Sequence, residues 1–338
     1  MERSLDGMVV VVTGASSGIG RATAIELASS GATVVVTSRD AVALDEVVRE
    51  CEAAGGRAVA LPADVTREEE VEAVGQLALS RFGRMDVWIN DAAVALFAKF
   101  EDAPSDVYRR VIETNFFGYV HGARVALKHF KQAHRGVLIN VASVTGGAPQ
   151  PYTSAYVASK YAVRALSSCL RMELQLERER DIHVCNVMPA AIDTPLFQHA
   201  ANYTGRTPKA LDPVYSPLKV ARAIEALILK PRAEVVVGKA ALLVLANARM
   251  APRTYERTMA RYVERNHLQD RPARATRGNL FATIEPKATV GGWREPSTIT
   301  SKVRRGAWPA AFAGAAVLTA LALAAAKRRV SRMEELND

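Results

Sequence analysis

At 338 residues with 49% hydrophobic composition, the chain has enough apolar material for one large α/β domain plus an appendage, which excludes disordered and fibrous classes. The net charge of +9 is unevenly placed: residues 251–305 hold 12 Lys/Arg against 5 Asp/Glu, so the basicity belongs to the C-terminal part. Cys51, Cys169 and Cys185 have neither metal-ligand spacing nor an even count, so no metal site or disulfide framework is expected and the thiols read as reduced, as in a cytosolic compartment.

No apolar core precedes the first strand, so no secretory leader is read at the N-terminus. From there β-branched runs at 8–13, 33–38, 58–62, 87–90, 137–141, 183–188 and 234–237 read as strands. They are continuous rather than alternating, as strands buried on both faces are. The stretches 21–29, 41–54, 67–82, 105–132, 154–177 and 217–230 are long enough for crossover helices. The alternation predicts an α/β fold, a doubly wound parallel sheet of the Rossmann type, in a domain spanning 5–250.

Residues 251–305 read as a basic helical extension. Arg249, Arg253, Arg257, Arg261 and Arg265 recur every fourth residue, while Met259, Tyr262 and Val263 fall on another arc. Such a stripe is either a solvated face paired to Glu256 and Glu264 or a contact for an anionic membrane surface. No recognition motif or aromatic platform supports nucleic-acid binding. Residues 307–326 carry no charge, and Thr319 is their only polar side chain. Twenty helical residues span about 30 Å, the thickness of a bilayer core, so a single C-terminal transmembrane helix is expected, with 327–338 as a short tail. Eleven of the twenty are alanine, which makes insertion marginal and leaves a helix packed on protein as the alternative.

The first strand runs into Thr13-Gly14-Ala15-Ser16-Ser17-Gly18-Ile19-Gly20, followed at once by a helical segment. Glycines in that position permit a tight turn and close approach of a pyrophosphate, and the helix N-terminus supplies free N–H groups. After the second strand, Ser38 stands where an NAD-binding protein usually places a carboxylate, and Arg39 follows. A guanidinium there suits a 2′-phosphate, which favours NADP(H) over NAD, although Asp40 is still available to a ribose. Tyr156 and Lys160 lie four apart on one helical face. A lysine cation about 5 Å from the phenol at an effective dielectric of about 20 favours phenolate by roughly 3 kcal/mol, which is expected to pull its pKa from 10 toward neutrality.

These pieces, with Asp64-Val65, Asn90-Asp91-Ala92-Ala93, Asn115, Ser143, Tyr156-Val157-Ala158-Ser159-Lys160 and Pro189-Ala190-Ala191-Ile192-Asp193-Thr194, occur in an order and at spacings that resemble the short-chain dehydrogenase/reductase superfamily, in its short-subunit branch. The resemblance covers about residues 8–240. It implies Tyr156 as general acid/base, Lys160 as its electrostatic partner and a ribose ligand, Ser143 as hydroxyl donor to the substrate oxygen, and Asn115 as holder of a water reaching Lys160. It further implies that Gly14, Ser16, Ser17, Gly18, Ile19 and Gly20 cradle the cofactor, that Asp64 and Val65 bracket adenine, and that Asn90 and Ala92 line the ribose side. Ile192 and Thr194 would hold the carboxamide, and Pro189 is also implied to contact the cofactor. Where the family usually has a second Asn and a Gly, this chain has Asp91 and Ala93, and Ala190 replaces the Gly after the proline. Ala93 therefore needs a negative φ, and Asp91 brings a carboxylate near the cleft.

The substrate rim is read at 94–100, 144–152 and 196–211, with Leu96, Phe97, Val144, Pro149, Tyr152, Leu196, Phe197 and Tyr203 as apolar members, which favours a lipophilic carbonyl or alcohol. The expected activity is hydride transfer between NADP(H) and that substrate. An epimerase or dehydratase with tightly held cofactor, or a non-enzymatic NADP-binding scaffold, are the alternatives on the same fold. A homodimer or homotetramer is implied by the resemblance. The expected location is a membrane, with the catalytic domain on the cytoplasmic side, and a cytoplasmic protein is the alternative.

Overall fold

The computed structural model describes residues 5–285 and 287–294. In chain order the elements begin with β1 (Val9–Thr13), α1 (Gly18–Ser29), β2 (Thr33–Thr37), α2 (Ala41–Ala53), β3 (Arg57–Ala60), α3 (Glu68–Phe82) and β4 (Val87–Asn90). Next come a two-residue strand β5 (Leu96–Phe97), α4 (Ser105–Ile112), α5 (Gly118–Ala133), β6 (Gly136–Val141), α6 (Ser154–Leu176) and β7 (Ile182–Pro189). The short α7 (Leu196–His199), β8 (Ala201–Asn202) and β9 (Arg206–Pro208) lead to α8 (Pro217–Leu229) and β10 (Glu234–Val237). Last are α9 (Lys239–Met250), α10 (Pro252–Asn266) and β11 (Leu268–Pro272).

Seven parallel strands form the central sheet in the order β10-β7-β6-β4-β1-β2-β3. The direction of winding reverses between β1 and β4, and such a switch point opens a crevice at the strands' carboxyl ends. The valine run of β1 is buried on both faces: Val10 and Val12 pack with Leu27, Leu44 and Ile224, and Val9 and Val11 pack with Val74, Phe130 and Leu174. Each such side chain contributes about 1.5–3 kcal/mol on burial. Local signals set the ends: Asp40 caps α2 by accepting from the Ala43 amide at 3.0 Å, and Gly83, left-handed at φ 70°, closes α3.

Two differences from the sequence reading concern helices. The single helix expected over 105–132 is broken by a π turn, Glu113–Phe117, between α4 and α5, a distortion that often marks a functional site. The extension also does not stand apart after residue 250. Tyr255, Met259 and Val263, one face of α10, are buried against Ala148 and Val244, while Arg249, Arg253, Arg257, Arg261 and Arg265 are exposed. Glu264 pairs with Arg206 on β9 at 2.9 Å rather than within its own helix. Beyond it β11 pairs with β9, and Thr276 bridges to Asn202, so residues 251–285 and 287–294 continue the domain. The transmembrane segment expected at 307–326 lies outside the described residues. Among those described, no helix is long and apolar enough to cross a membrane.

Candidate active site

The crevice is organised by the end of β1. Thr13 Oγ1 accepts from the amides of Asp91 and Ala92 at 3.1 and 3.3 Å, tying the two sides of the switch point together. Gly14 has φ +70°, and a Cβ on it would stand 2.7 Å from the Ala92 backbone, so only glycine fits. The first turn of α1 carries no acidic residue and its N-cap, Ser17, makes no side-chain cap bond. The Gly18 amide donates to the Ala288 carbonyl at 3.0 Å, and the rest of the positive end of this twelve-residue helix faces the groove, an arrangement suited to a pyrophosphate. Gly14, Ser16, Ser17, Gly18 and Ile19 line this part of the groove. Arg39, Asp64 and Val65 line its outer end, and Ala92, Pro189, Ile192 and Thr194 its inner wall. These residues line one groove whose glycine turn, helix N-terminus and flanking cation suit the chemistry of a dinucleotide.

Two expected cofactor residues lie elsewhere. Gly20 packs against the loop itself, where a Cβ would meet the Gly14 carbonyl at 2.4 Å; it shapes the turn. Asn90 is buried in a polar ladder running across the sheet. It accepts from Trp88 Nε1 at 2.8 Å and donates to Asn140 Oδ1 at 2.9 Å, and Asn140 donates onward to Ser167. Its amide is thus engaged inside the protein, not at a ribose. Ala93 adopts no positive φ, so its substitution for glycine is unstrained.

At the inner end of the groove, Ser143 follows β6 while Tyr156 and Lys160 stand one turn apart on α6. The Ser143 hydroxyl accepts from the Thr145 amide and hydroxyl at 3.2 and 3.0 Å and hydrogen-bonds the Tyr156 phenol. Lys160, 1% exposed, donates to the Val141 carbonyl at 2.8 Å and to Tyr119 Oη at 3.1 Å. Its ammonium lies 5.6 Å from the centre of the Tyr156 ring. The expected fall in the phenol's pKa is not found. Burial pushes Tyr156 up to about 12, with the Asp91 carboxylate adding to the rise and the Ser143 hydrogen bond opposing it. The protein alone therefore holds this phenol as a proton donor.

Lys160 has a carboxylate neighbour in Asp91. Burial pushes Lys160 down to about 8 and Asp91 up to about 7, and each opposes the other's displacement. The Asp91 position was visible in sequence as an acid where the family has an amide; its pairing with Lys160 was not. Asn115 is anchored by its side chain. Within the π turn its side chain clamps the Val94 backbone, accepting from N–H at 2.8 Å and donating to C=O at 2.9 Å, and reaches Ser159 at 3.2 Å. The side chain that touches Lys160 is Tyr119, four residues on. The one signal for it was that helical spacing.

The groove opens into an apolar pocket. Of the expected rim, Phe97, Val144, Leu196 and Phe197 line it, while Leu96 and Tyr203 pack into a separate cluster with Val107 and Val111. Val244, Tyr255, Met259 and His267, which the sequence reading did not assign, complete the lining. His267 donates from Nδ1 to the Lys209 carbonyl, which leaves Nε2 as acceptor toward Gln150 at 3.3 Å. Burial pushes it down to about 4, so it is neutral at physiological pH.

With this geometry in place, the chain belongs to the short-chain dehydrogenase/reductase family: the family model described as short chain dehydrogenase matches residues 8–204. It is an oxidoreductase of that family, whose members use nicotinamide cofactors. It is 34% identical over 334 residues to an uncharacterized oxidoreductase, YxnA, of Bacillus subtilis (strain 168), covering 96% of this chain and 92% of that one. It is 37% identical over 198 residues to 3beta-hydroxysteroid dehydrogenase 1 of Eggerthella lenta, covering 58% of this chain and 75% of that one. Among solved structures, a short chain dehydrogenase/reductase from Burkholderia phymatum in complex with NAD superposes with a TM-score of 0.68 at 26% identity, covering 75% of this chain and 97% of that one. A metagenomic short-chain oxidoreductase in complex with NADP gives 0.59 at 30% identity, covering 70% and 98%.

Proposed function

We propose that this protein interconverts a lipophilic carbonyl compound and the corresponding alcohol with NADP(H) as hydride carrier. The observation that carries the reading is the convergence of Ser143, Tyr156 and Lys160 where the glycine-loop groove meets the apolar pocket. Bound nicotinamide supplies or accepts the hydride. Ser143 holds the substrate oxygen, the Tyr156 phenol passes it a proton, and the Lys160 cation binds the nicotinamide ribose and stabilises the phenolate left behind. Because burial keeps the phenol protonated, the residues as they stand favour donation to a carbonyl oxygen. The apolar lining and the likeness to a hydroxysteroid dehydrogenase support a lipophilic substrate. The test is a panel of lipophilic aldehydes, ketones and secondary alcohols, hydroxysteroids included, with NADPH and NADP⁺, followed at the reduced-nicotinamide absorbance band. No turnover across the panel would refute the reading.

The preference for NADP(H) rests on Arg39 and on the absence of a free carboxylate after β2. Asp40 is engaged in capping α2, and Ser38 occupies the usual acidic place. Arg39→Asp is expected to weaken NADPH binding by about 2–3 kcal/mol, from a lost ionic hydrogen bond and new repulsion. Calorimetric titration of both cofactors checks it; a wild-type protein that prefers NADH would reject the assignment.

We also propose that residues 307–326 anchor the protein to a membrane, with the catalytic domain facing the cytoplasmic cofactor pool. Full-length protein is expected to stay with membranes through carbonate extraction at high pH, and a chain lacking 306–338 to be released. Full-length protein in the soluble fraction would exclude the anchor. Exposed apolar side chains on the α5–α6 side, Phe117, Tyr161 and Met172, support self-association there, which light scattering on the purified protein would measure.

A further inference from the structure

The stretches 276–285 and 287–293 lie beyond the span of the family model, yet they are tied to the loops that follow β1, β2 and β7 around the cofactor groove. The Gly18 amide donates to the Ala288 carbonyl at 3.0 Å, and Arg21 donates to the Lys287 carbonyl at 3.2 Å. Arg39 donates to the carbonyls of Asn279 and Leu280, and Leu280 is fully buried. At the far end Asp193 Oδ1 accepts from the amides of Gly291 and Trp293 at 3.1 and 2.7 Å. Together these stretches form an outer wall of the groove.

Two of its side chains point to a ligand. Asn279 lines the groove, and its Oδ1 is buried with no hydrogen-bond partner among the described residues. Such an orphaned acceptor is costly unless something fills the site. Lys287 also lines the groove beside Arg39 and Asp40, and its side chain is 9% exposed. Among the described residues its one ionic contact is Asp40 Oδ2 at 3.6 Å, too long for a good hydrogen bond. Asp40 Oδ1 is already held by the α2 N-terminus, and Asp64 is held by Arg110 and Thr66. Arg39 and Lys287, partly buried, thus present two cations near the carboxylates of Asp40 and Asp64, both of which are already engaged by other donors. Burial lowers the Arg39 pKa; the Asp64 carboxylate opposes this and Arg110 adds to it.

We propose that Lys287, supplied by this C-terminal wall, is a specificity-determining residue for the 2′-phosphate of NADP(H), facing it together with Arg39. The inference rests on the NADP reading above. A dianionic phosphate would complete the donors of both cations, whereas the neutral ribose hydroxyl of NAD would leave them short, so Lys287 should act on one cofactor and not the other.

The test is titration of full-length wild type, Lys287→Met, Lys287→Gln and Lys287→Arg with NADPH, NADH, 2′,5′-ADP and 5′-AMP, each variant's melting curve being recorded alongside. Lys287→Met and Lys287→Gln should raise the Kd for NADPH and 2′,5′-ADP by about tenfold or more, leave NADH and 5′-AMP within about twofold, and Lys287→Arg should retain most of the NADPH preference. A wild type that prefers NADPH while Lys287→Met and Lys287→Gln bind it unchanged would overturn Lys287 and leave the NADP reading standing. Equal weakening of NADPH and NADH would also overturn it, by making the lysine merely structural. A wild type that prefers NADH would overturn both readings together.

Discussion

Tyr156→Phe is expected to fold and bind NADPH like the wild-type protein and to turn over at least about a hundredfold more slowly. The substitution keeps the ring, which is packed with Phe97 and Ala200, and removes one hydroxyl. That hydroxyl is bonded to Ser143, and its ring centre lies 5.6 Å from the Lys160 ammonium. The proton it gives has no equally placed source once it is gone. Steady-state kinetics on the best substrate of the panel, with cofactor titration alongside, check both halves; a near-normal kcat would mean that the proton travels another way.

Lys160→Met should cost the fold as well as the chemistry, and the cost should depend on pH. Lys160 is the opposing charge for a buried Asp91 carboxyl. Removing one partner of such a pair typically costs about 3–5 kcal/mol, because the other charge is left uncompensated. The sign follows from the two titrations. Asp91 in the folded protein sits at about 7, above the roughly 3.9 of an unfolded aspartate, so its ionisation erodes stability as pH rises between those values. Without the lysine its folded value rises further, and the erosion continues past pH 7. The wild type, whose Lys160 sits at about 8 against about 10.4 unfolded, instead gains stability as pH rises above 8. Both effects widen the gap in the same direction. The gap should be small at pH 5.5, where the lost hydrogen bonds are offset by removal of a buried cation, and about 3–5 kcal/mol at pH 8.5. Melting curves at the two pH values measure it. A gap of equal size at both would show that Asp91 does not feel Lys160, and Asp91→Asn added to Lys160→Met should remove the variant's own loss of stability with rising pH.

What the residue order alone determined is the part governed by local rules. Unbroken valine runs such as Val9–Thr13 are apolar on both sides of the pleat, so they read as central strands and were found as such. The glycines of the β1–α1 turn and the four-residue spacing of Tyr156 and Lys160 are fixed by backbone sterics and helix pitch, and the side chains those spacings bring together do meet in the groove. Tertiary structure decided whatever depends on distant partners. Nothing in the run around Asn90 tells that its amide bonds to Asn140, because the two meet only through strand pairing. The direction of the Tyr156 pKa was misread because a Coulomb pair can be written from spacing, whereas desolvation depends on everything packed around the phenol. Asp91 acquired its lysine, and the basic extension its role as a wall carrying Asn279, Lys287 and His267, only when residues more than a hundred positions away, in some cases, closed over the sheet's carboxyl edge. Charge and periodicity describe a segment against water; burial against the rest of the chain decides which of its side chains face a ligand.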